Sequence, residues 1–453
     1  MQAFATQVLA RRFVQFVFGF IFAFIAIGQV TPAAGAPAET EHWVAAWAAS
    51  AHGPYPLGYP TAQPELKFAF PDPARGAVDQ SFRLIVRPDI WGKQARIRLS
   101  NAFGTQPVTF DGGYIALQTS GSAVLAGSGR AITFGGKKTV TVAPGKDVLS
   151  DAVSLPFVKN AADPMLTGRR LAVSFHVVGE SGPMTWHAKA LTTSYITAPG
   201  AGAHGGDDGE SAFPMSSASW YFLDQLQMTA PRTTRVIVAF GDSITDGSAS
   251  TLNGDDRWPD VLARRLHAMA GNRFVVVNEG IGGNEVVGPR DYAAKATPGG
   301  PSALDRLQRD VISLPGVSTV IWLEGINDLG PGGATVEAVS DGVREGVKRL
   351  RAGIPGVRIY MATLTGALNS TPAHGTPEVD AKRKEYNQFI RSAGIFDGVI
   401  DFDVVTLDPA TGELKAVYQP NSSVGGPGDK IHPNRAGYAA MGNAIDLNMI
   451  VGK

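Results

Sequence analysis

The sequence contains no cysteine. That excludes disulfides, a thiol nucleophile and any Cys-ligated zinc or iron–sulfur centre, and leaves covalent chemistry to oxygen or nitrogen. It also lacks an excess of either charge: 40 Lys+Arg balance 40 Asp+Glu over 453 residues. Without clustered basic residues there is no footprint for phosphate neutralisation, so nucleic acid is not an expected partner. Three motifs are missing as well. No Gly-Lys-Ser/Thr stands for a P-loop, no His-Glu-x-x-His for zinc, and no Gly-x-Ser-x-Gly for the nucleophile elbow of α/β-hydrolases.

What is present begins with an export signal. Arg11 and Arg12 precede an apolar run from Phe13 to Ile27, and Ala36-Pro37-Ala38 offers a small-residue cleavage site ahead of Glu39. Residues 1–38 therefore read as a secretory signal peptide and the protein as secreted or periplasmic, with an uncleaved membrane anchor as the alternative. Membrane contact is expected only through this segment. Cleavage after Ala38 would remove both arginines and no acid, leaving a slightly acidic mature chain.

Residues 39–230 show short stretches of period-two alternation, such as Ala95-Arg96-Ile97-Arg98-Leu99-Ser100 and Leu171 to Val177, separated by Gly, Pro and Asp turns. This is the pattern of half-buried antiparallel strands and predicts a β-sandwich of jelly-roll type. The Gly-rich stretch 199–219 reads as a mobile loop, and Trp220 to Met228 as one strand. From residue 231 to 453 the pattern changes. Apolar runs Val236–Phe240, Phe274–Asn278, Thr319–Leu323, Val357–Ala362 and Gly398–Phe402 alternate with stretches of helical period, the signature of a parallel sheet covered on both faces. In one such stretch Val336, Val339, Val343, Val347 and Leu350 form a single stripe, with Glu337, Asp341, Arg344 and Lys348 facing away. Further helices are predicted over 258–269, 302–314, 379–392 and 435–447.

The chemistry-bearing residues cluster at strand ends. Gly241-Asp242-Ser243 follows the first parallel strand, where a nucleophile is useful, although Asp242 or Ser243 could equally cap a turn. A serine hydroxyl needs an adjacent base. Of eight histidines, His432 stands before the last helix with Asp429 three residues upstream, a spacing that can return the carboxylate to the imidazole. It could also be an ordinary Asx-turn. Gly280-Ile-Gly-Gly283-Asn284 and Gly325-Ile-Asn327-Asp328 follow the next two strands and offer backbone and side-chain N–H donors. His204 with Asp207 and Asp208 reads as a solvated cluster rather than a cation site, and His187 as a surface or interdomain residue. Trp91, Trp186, Trp220 and Tyr221 read as core aromatics before sugar-stacking platforms. The Gly- and Pro-punctuated segment 363–376 is a candidate lid or pocket rim.

Together Gly241-Asp242-Ser243, Gly283, Gly325-Ile326-Asn327-Asp328 and Asp429-Lys430-Ile431-His432 resemble the four blocks of the SGNH (GDSL) hydrolase superfamily over about residues 233–450. Ile244 replaces the usual Leu of the first block. The N-terminal half, with Arg98 to Gly104 and Trp186 to Tyr195, is similar to the front domain of secreted arylesterase/acylhydrolase-like members. The resemblance implies an α/β, flavodoxin-like three-layer domain with Ser243 as nucleophile and His432 as base oriented by Asp429. It further implies an oxyanion hole of the Ser243 N–H, the Gly283 N–H and the Asn327 side chain. No cofactor or metal is expected. The reading is a secreted serine esterase acting on short-chain acyl or acetyl esters of a small molecule or polysaccharide. The alternatives are a lipid or aryl acylhydrolase, an acyltransferase with the same triad, or an inactive extracellular carbohydrate-binding protein. The sequence does not specify the oligomeric state.

Overall fold

The computed structural model describes residues 41–59 and 65–452; the predicted signal peptide lies outside the described residues. The described residues form one compact unit, because one apolar core runs through both halves, from Val44, Phe82 and Phe175 to Val238, Trp322 and Tyr438.

The N-terminal half is built of antiparallel strands. One sheet has Glu41–Ala48 beside Leu223–Pro231, then Gln94–Ser100, then Asp147–Leu149. A larger sheet centres on Leu171–Glu180, flanked by Val78–Val86 and Val108–Ser120. The core they enclose includes Phe82, Phe110, Phe175 and Phe222, with contacting ring centroids 5.2–6.4 Å apart. Burial of such side chains contributes on the order of 2–3 kcal/mol each. The expected single strand 220–228 is broken: Trp220–Tyr221 pairs with Trp186–His187, Phe222 takes a left-handed φ of 59°, and a new strand starts at Leu223. Trp91, Trp186, Trp220 and Tyr221 are all buried, as core residues.

The segment 199–219 is anchored rather than loose. Arg83, fully buried, donates to the carbonyls of Ser122 (2.7 Å) and Asp207 (2.6 Å) and to Ser174 Oγ (3.0 Å), while the Phe213 ring lies over its guanidinium at 4.1 Å. A buried guanidinium must spend its five donors, and besides Ser122 and Ser174 it is the carbonyls of His204, Gly205, Asp207 and Gly209 that take them. His204 Nδ1 pairs with Asp207 and its Nε2 with the Ala201 carbonyl. No group of three or more His, Asp or Glu side chains is placed to hold a metal ion among the described residues.

The C-terminal half is a five-stranded parallel sheet: Arg235–Gly241, Phe274–Gly280, Val317–Leu323, Arg358–Ala362 and Gly398–Ile400. Counted in chain order, the strands lie 2-1-3-4-5, the flavodoxin-like arrangement in which the crevice opens at the carboxyl ends beside the first strand. The helix Val336–Gly353 buries Val339, Val343, Val347 and Leu350 and exposes Glu337, Asp341, Arg344 and Lys348. Two expected elements differ. The last strand stops at Ile400 because Asp401 accepts the Val404 N–H and caps a helix, Phe402–Thr406. The expected helix 302–314 is an α-turn, Ala303–Leu307, that widens into a π-helix over Gln308–Ile312. No helix among the described residues is long and apolar enough to cross a membrane.

Candidate active site

The first strand ends at Gly241, where a Cβ would run into the Leu323 carbonyl oxygen of the neighbouring strand. Glycine is required there by close strand approach, not by the sharp turn alone. Asp242 then caps the short helix Ser243–Asp246 by accepting the Ile244 N–H at 2.9 Å, so Ser243 occupies its first position with its backbone N–H pointing out of the helix end. That N–H has no hydrogen-bond partner among the described residues, and neither has the N–H of Gly283.

Ser243 Oγ is 2.7 Å from His432 Nε2, across 189 residues of chain. His432 Nδ1 is 2.5 Å from Asp429 Oδ2. A carboxylate only accepts, so Nδ1 carries the proton and Nε2 is free to accept from the serine hydroxyl. The turn that achieves this uses Lys430 at φ 63°, letting the other Asp429 oxygen take the N–H groups of Ile431 (3.1 Å) and His432 (3.0 Å). Burial alone would raise the Asp429 pKa; the bonds from His432 and from the two backbone N–H groups outweigh it and hold the carboxyl well below its usual range.

Gly283 has φ 82°, and a Cβ on it would meet the Tyr59 ring, with Cε2 at 2.5 Å. Asn327, in the short helix Ile326–Leu329 that follows the third strand, donates Nδ2 to the Asn284 carbonyl at 2.9 Å, which leaves its second amide proton available. The structure thus places all five predicted site residues, Ser243, Gly283, Asn327, Asp429 and His432, at the carboxyl edge of the sheet. Ser243, His432 and Asp429 join in one hydrogen-bonded chain, and Asn327 is joined to the Gly283 loop through Asn284.

Beneath them lies a buried ionic layer that sequence reasoning missed. Arg306 reaches Asn284 Oδ1 (2.6 Å), the Glu279 and Gly241 carbonyls (2.8 Å each) and Ser50 Oγ (2.8 Å). One guanidinium therefore ties the ends of the first two strands to the Gly283 loop and to the N-terminal half. Burial raises the carboxyls of Asp242 and Glu324 to about 7, and that of Asp328 to about 8. Asp328 nevertheless accepts the N–H groups of Val286 and Val287, fixing the chain just after the Gly283 loop.

Other residues that the sequence left unassigned come from afar. Tyr59 and Lys189, both of the N-terminal half, line a small pocket with His52, Gly282 and Pro298. The Lys189 ammonium, its pKa lowered by burial, contacts Ser248 Oγ. His187 is buried between the halves, with Nδ1 on the Ser50 carbonyl and Nε2 3.2 Å from Asp246; it is an interdomain residue, not a surface one. From the segment 363–376, His374 reaches Asn327. The sequence carried no periodic or motif signal for these contacts, since each joins residues brought together only by the fold.

Residues 239–440 match the GDSL-like Lipase/Acylhydrolase family. A search of curated proteins finds no match. Among solved structures the chain is similar to a carbohydrate acetylesterase family member from Sinorhizobium meliloti (20% identity, 49% of this chain and 100% of that one, TM-score 0.38). It is similar to an aryl esterase of M. smegmatis (19%, 47% and 96%, 0.36) and to a member of the lipolytic protein G-D-S-L family from Veillonella parvula (17%, 47% and 96%, 0.34). Residues 239–440 belong to the GDSL-like lipase/acylhydrolase family, and this domain is a carboxylic ester hydrolase.

Proposed function

We propose that the protein is an exported serine esterase that cleaves short-chain acyl esters, acetyl esters foremost, through a Ser243–His432–Asp429 triad and an acyl-enzyme. The observation that carries this reading is the hydrogen-bonded chain from Ser243 Oγ through both ring nitrogens of His432 to Asp429. Ser243 Oγ attacks the acyl carbonyl carbon as its proton passes to His432 Nε2. Asp429 holds the imidazole in the Nδ1–H tautomer and stabilises the imidazolium. The carbonyl oxygen, now negative, is met by the unpartnered N–H groups of Ser243 and Gly283 and by the second amide proton of Asn327. Each such donor lowers the barrier by about 3–4 kcal/mol. The tetrahedral intermediate collapses, the alcohol leaves with the proton from His432, and water repeats the sequence on the acyl-enzyme.

The short-acyl preference is read from the Tyr59 ring, which stands against Gly283 from the N-terminal side. We read that half, residues 39–230, as a jelly-roll-like sandwich that serves as one wall of the cleft. The hydrolase domain then covers 231–453, and the natural substrate is an extracellular ester such as an acetylated polysaccharide. The test is initial rates on p-nitrophenyl esters of increasing chain length beside acetate release from acetylated glycans. Rates that fall steeply beyond short acyl chains, with acetate released from a glycan, support the reading; faster turnover of long acyl chains overturns it.

A further inference from the structure

Asn327 is useful to an oxyanion only in one of its two amide orientations: with Nδ2 towards the serine it donates, and flipped it would set Oδ1 against the negative oxygen. A carboxamide has nearly equal shape in both orientations, so its hydrogen bonds decide. On one side the Asn284 carbonyl requires an N–H and takes Nδ2 at 2.9 Å. On the other side stands His374, with Nε2 3.0 Å from Asn327 Oδ1 and Nδ1 2.8 Å from Thr371 Oγ1. Since Oδ1 can only accept, Nε2 carries the proton, and Nδ1 accepts the Thr371 hydroxyl. The segment 363–376 that brings His374 here is itself tied down: its Asn369 N–H bonds the Gly375 carbonyl, and the His374 and Gly375 N–H groups both bond the Thr371 carbonyl.

We propose that His374 is a positioning residue that locks Asn327 in its donating orientation, so that the segment between the fourth strand and the helix Pro377–Ser392 takes part in the reaction through Asn327. The inference rests on the oxyanion role proposed for Asn327. Burial, together with the nearby His432, lowers the His374 pKa to about 4. His374 therefore stays neutral while His432 cycles through its charged form, and holds Asn327 without setting a second cation beside the imidazolium.

The test is a double-mutant cycle. Asn327→Ala alone is expected to lower kcat about 10²- to 10³-fold. His374→Ala is expected to lower kcat about ten- to a hundredfold with KM little changed, and to do nothing further in the Asn327→Ala background. His374→Gln, whose amide nitrogen falls near the position of Nε2, is expected to restore most of the activity. His374→Asn, whose amide nitrogen falls near Nδ1, is not. If the losses from His374→Ala and Asn327→Ala multiply in the double variant, or if Gln and Asn rescue alike, His374 does not act through Asn327. An unimpaired Asn327→Ala enzyme would instead overturn the oxyanion reading itself, and with it this inference. Thermal melts of each variant separate these outcomes from a loss of fold, and the Gln/Asn contrast stands even if the alanine variants melt early.

Discussion

Asp242, the residue before the nucleophile, makes a sharp prediction about stability. Its side chain is fully buried, Oδ1 accepts the Ile244 N–H, and Oδ2 has no partner among the described residues. Burial, reinforced by Asp328 against the opposing Ile244 N–H, raises its pKa from 3.8 to about 7. In the unfolded chain the group releases its proton near pH 4, and in the folded protein near pH 7. Between those values the folded state holds one more proton than the unfolded state, so stability falls as pH rises across that window and levels off above it. A gap of about three units at 1.36 kcal/mol per unit amounts to about 4 kcal/mol. Asp242→Asn keeps the Oδ1 cap and removes the titration. Denaturant unfolding at pH 4, 6 and 8 should show wild-type stability declining more steeply than that of the variant, by about 4 kcal/mol over the range. Part of the difference comes through Glu324, whose own elevation owes something to Asp242. Parallel wild-type and Asp242→Asn profiles would mean that the folded protein carries Asp242 ionised at pH 5 to 6, against a pKa raised by burial.

Other substitutions test the site from different sides. Asp429→Asn should lower kcat about 10⁴-fold, the effect of losing the carboxylate that fixes a catalytic tautomer; a loss under tenfold would show that His432 is oriented by something else. Gly283→Ala should lower kcat about a hundredfold, because the new methyl meets the Tyr59 ring and the φ of 82° disfavours an L side chain; unchanged kcat would remove the Gly283 N–H from the account. Arg306→Leu should reduce stability by about 3–5 kcal/mol in chemical denaturation, since it leaves the buried Glu279 and Gly241 carbonyls without their donor and Asp310 with Arg309 alone. A change under about 1 kcal/mol would show that Arg309, also bonded to Asp310, suffices alone.

The legible parts of this molecule were those written in consecutive residues. Each parallel strand is an apolar run, and each site block sits at a strand end, so Ser243, Gly283, Asn327, Asp429 and His432 could be named from spacing and resemblance. Boundaries failed where a local polar residue overrode the apolar run. Asp401 captures the Val404 N–H and turns Phe402 from strand to helix, and the reversed φ at Phe222 splits a strand that reads as continuous. Arg83 was invisible as an anchor because its partners are carbonyls, which any sequence supplies. His374, Arg306, Tyr59 and Lys189 escaped because their partners lie far away in sequence. Their roles exist only once segments such as 59 and 283, or 327 and 374, have been folded together.

In the proposed mechanism ester cleavage passes through a covalent bond to Ser243. The most direct measurement is to mix the enzyme with excess p-nitrophenyl acetate, quench in acid within the first turnovers and map the acylated peptide by mass spectrometry. A burst of nitrophenol matched by one acetyl group on Ser243 is expected, with neither burst nor acetyl group in Ser243→Ala. Acetylation at another residue, or turnover by Ser243→Ala at the parent rate, would contradict it.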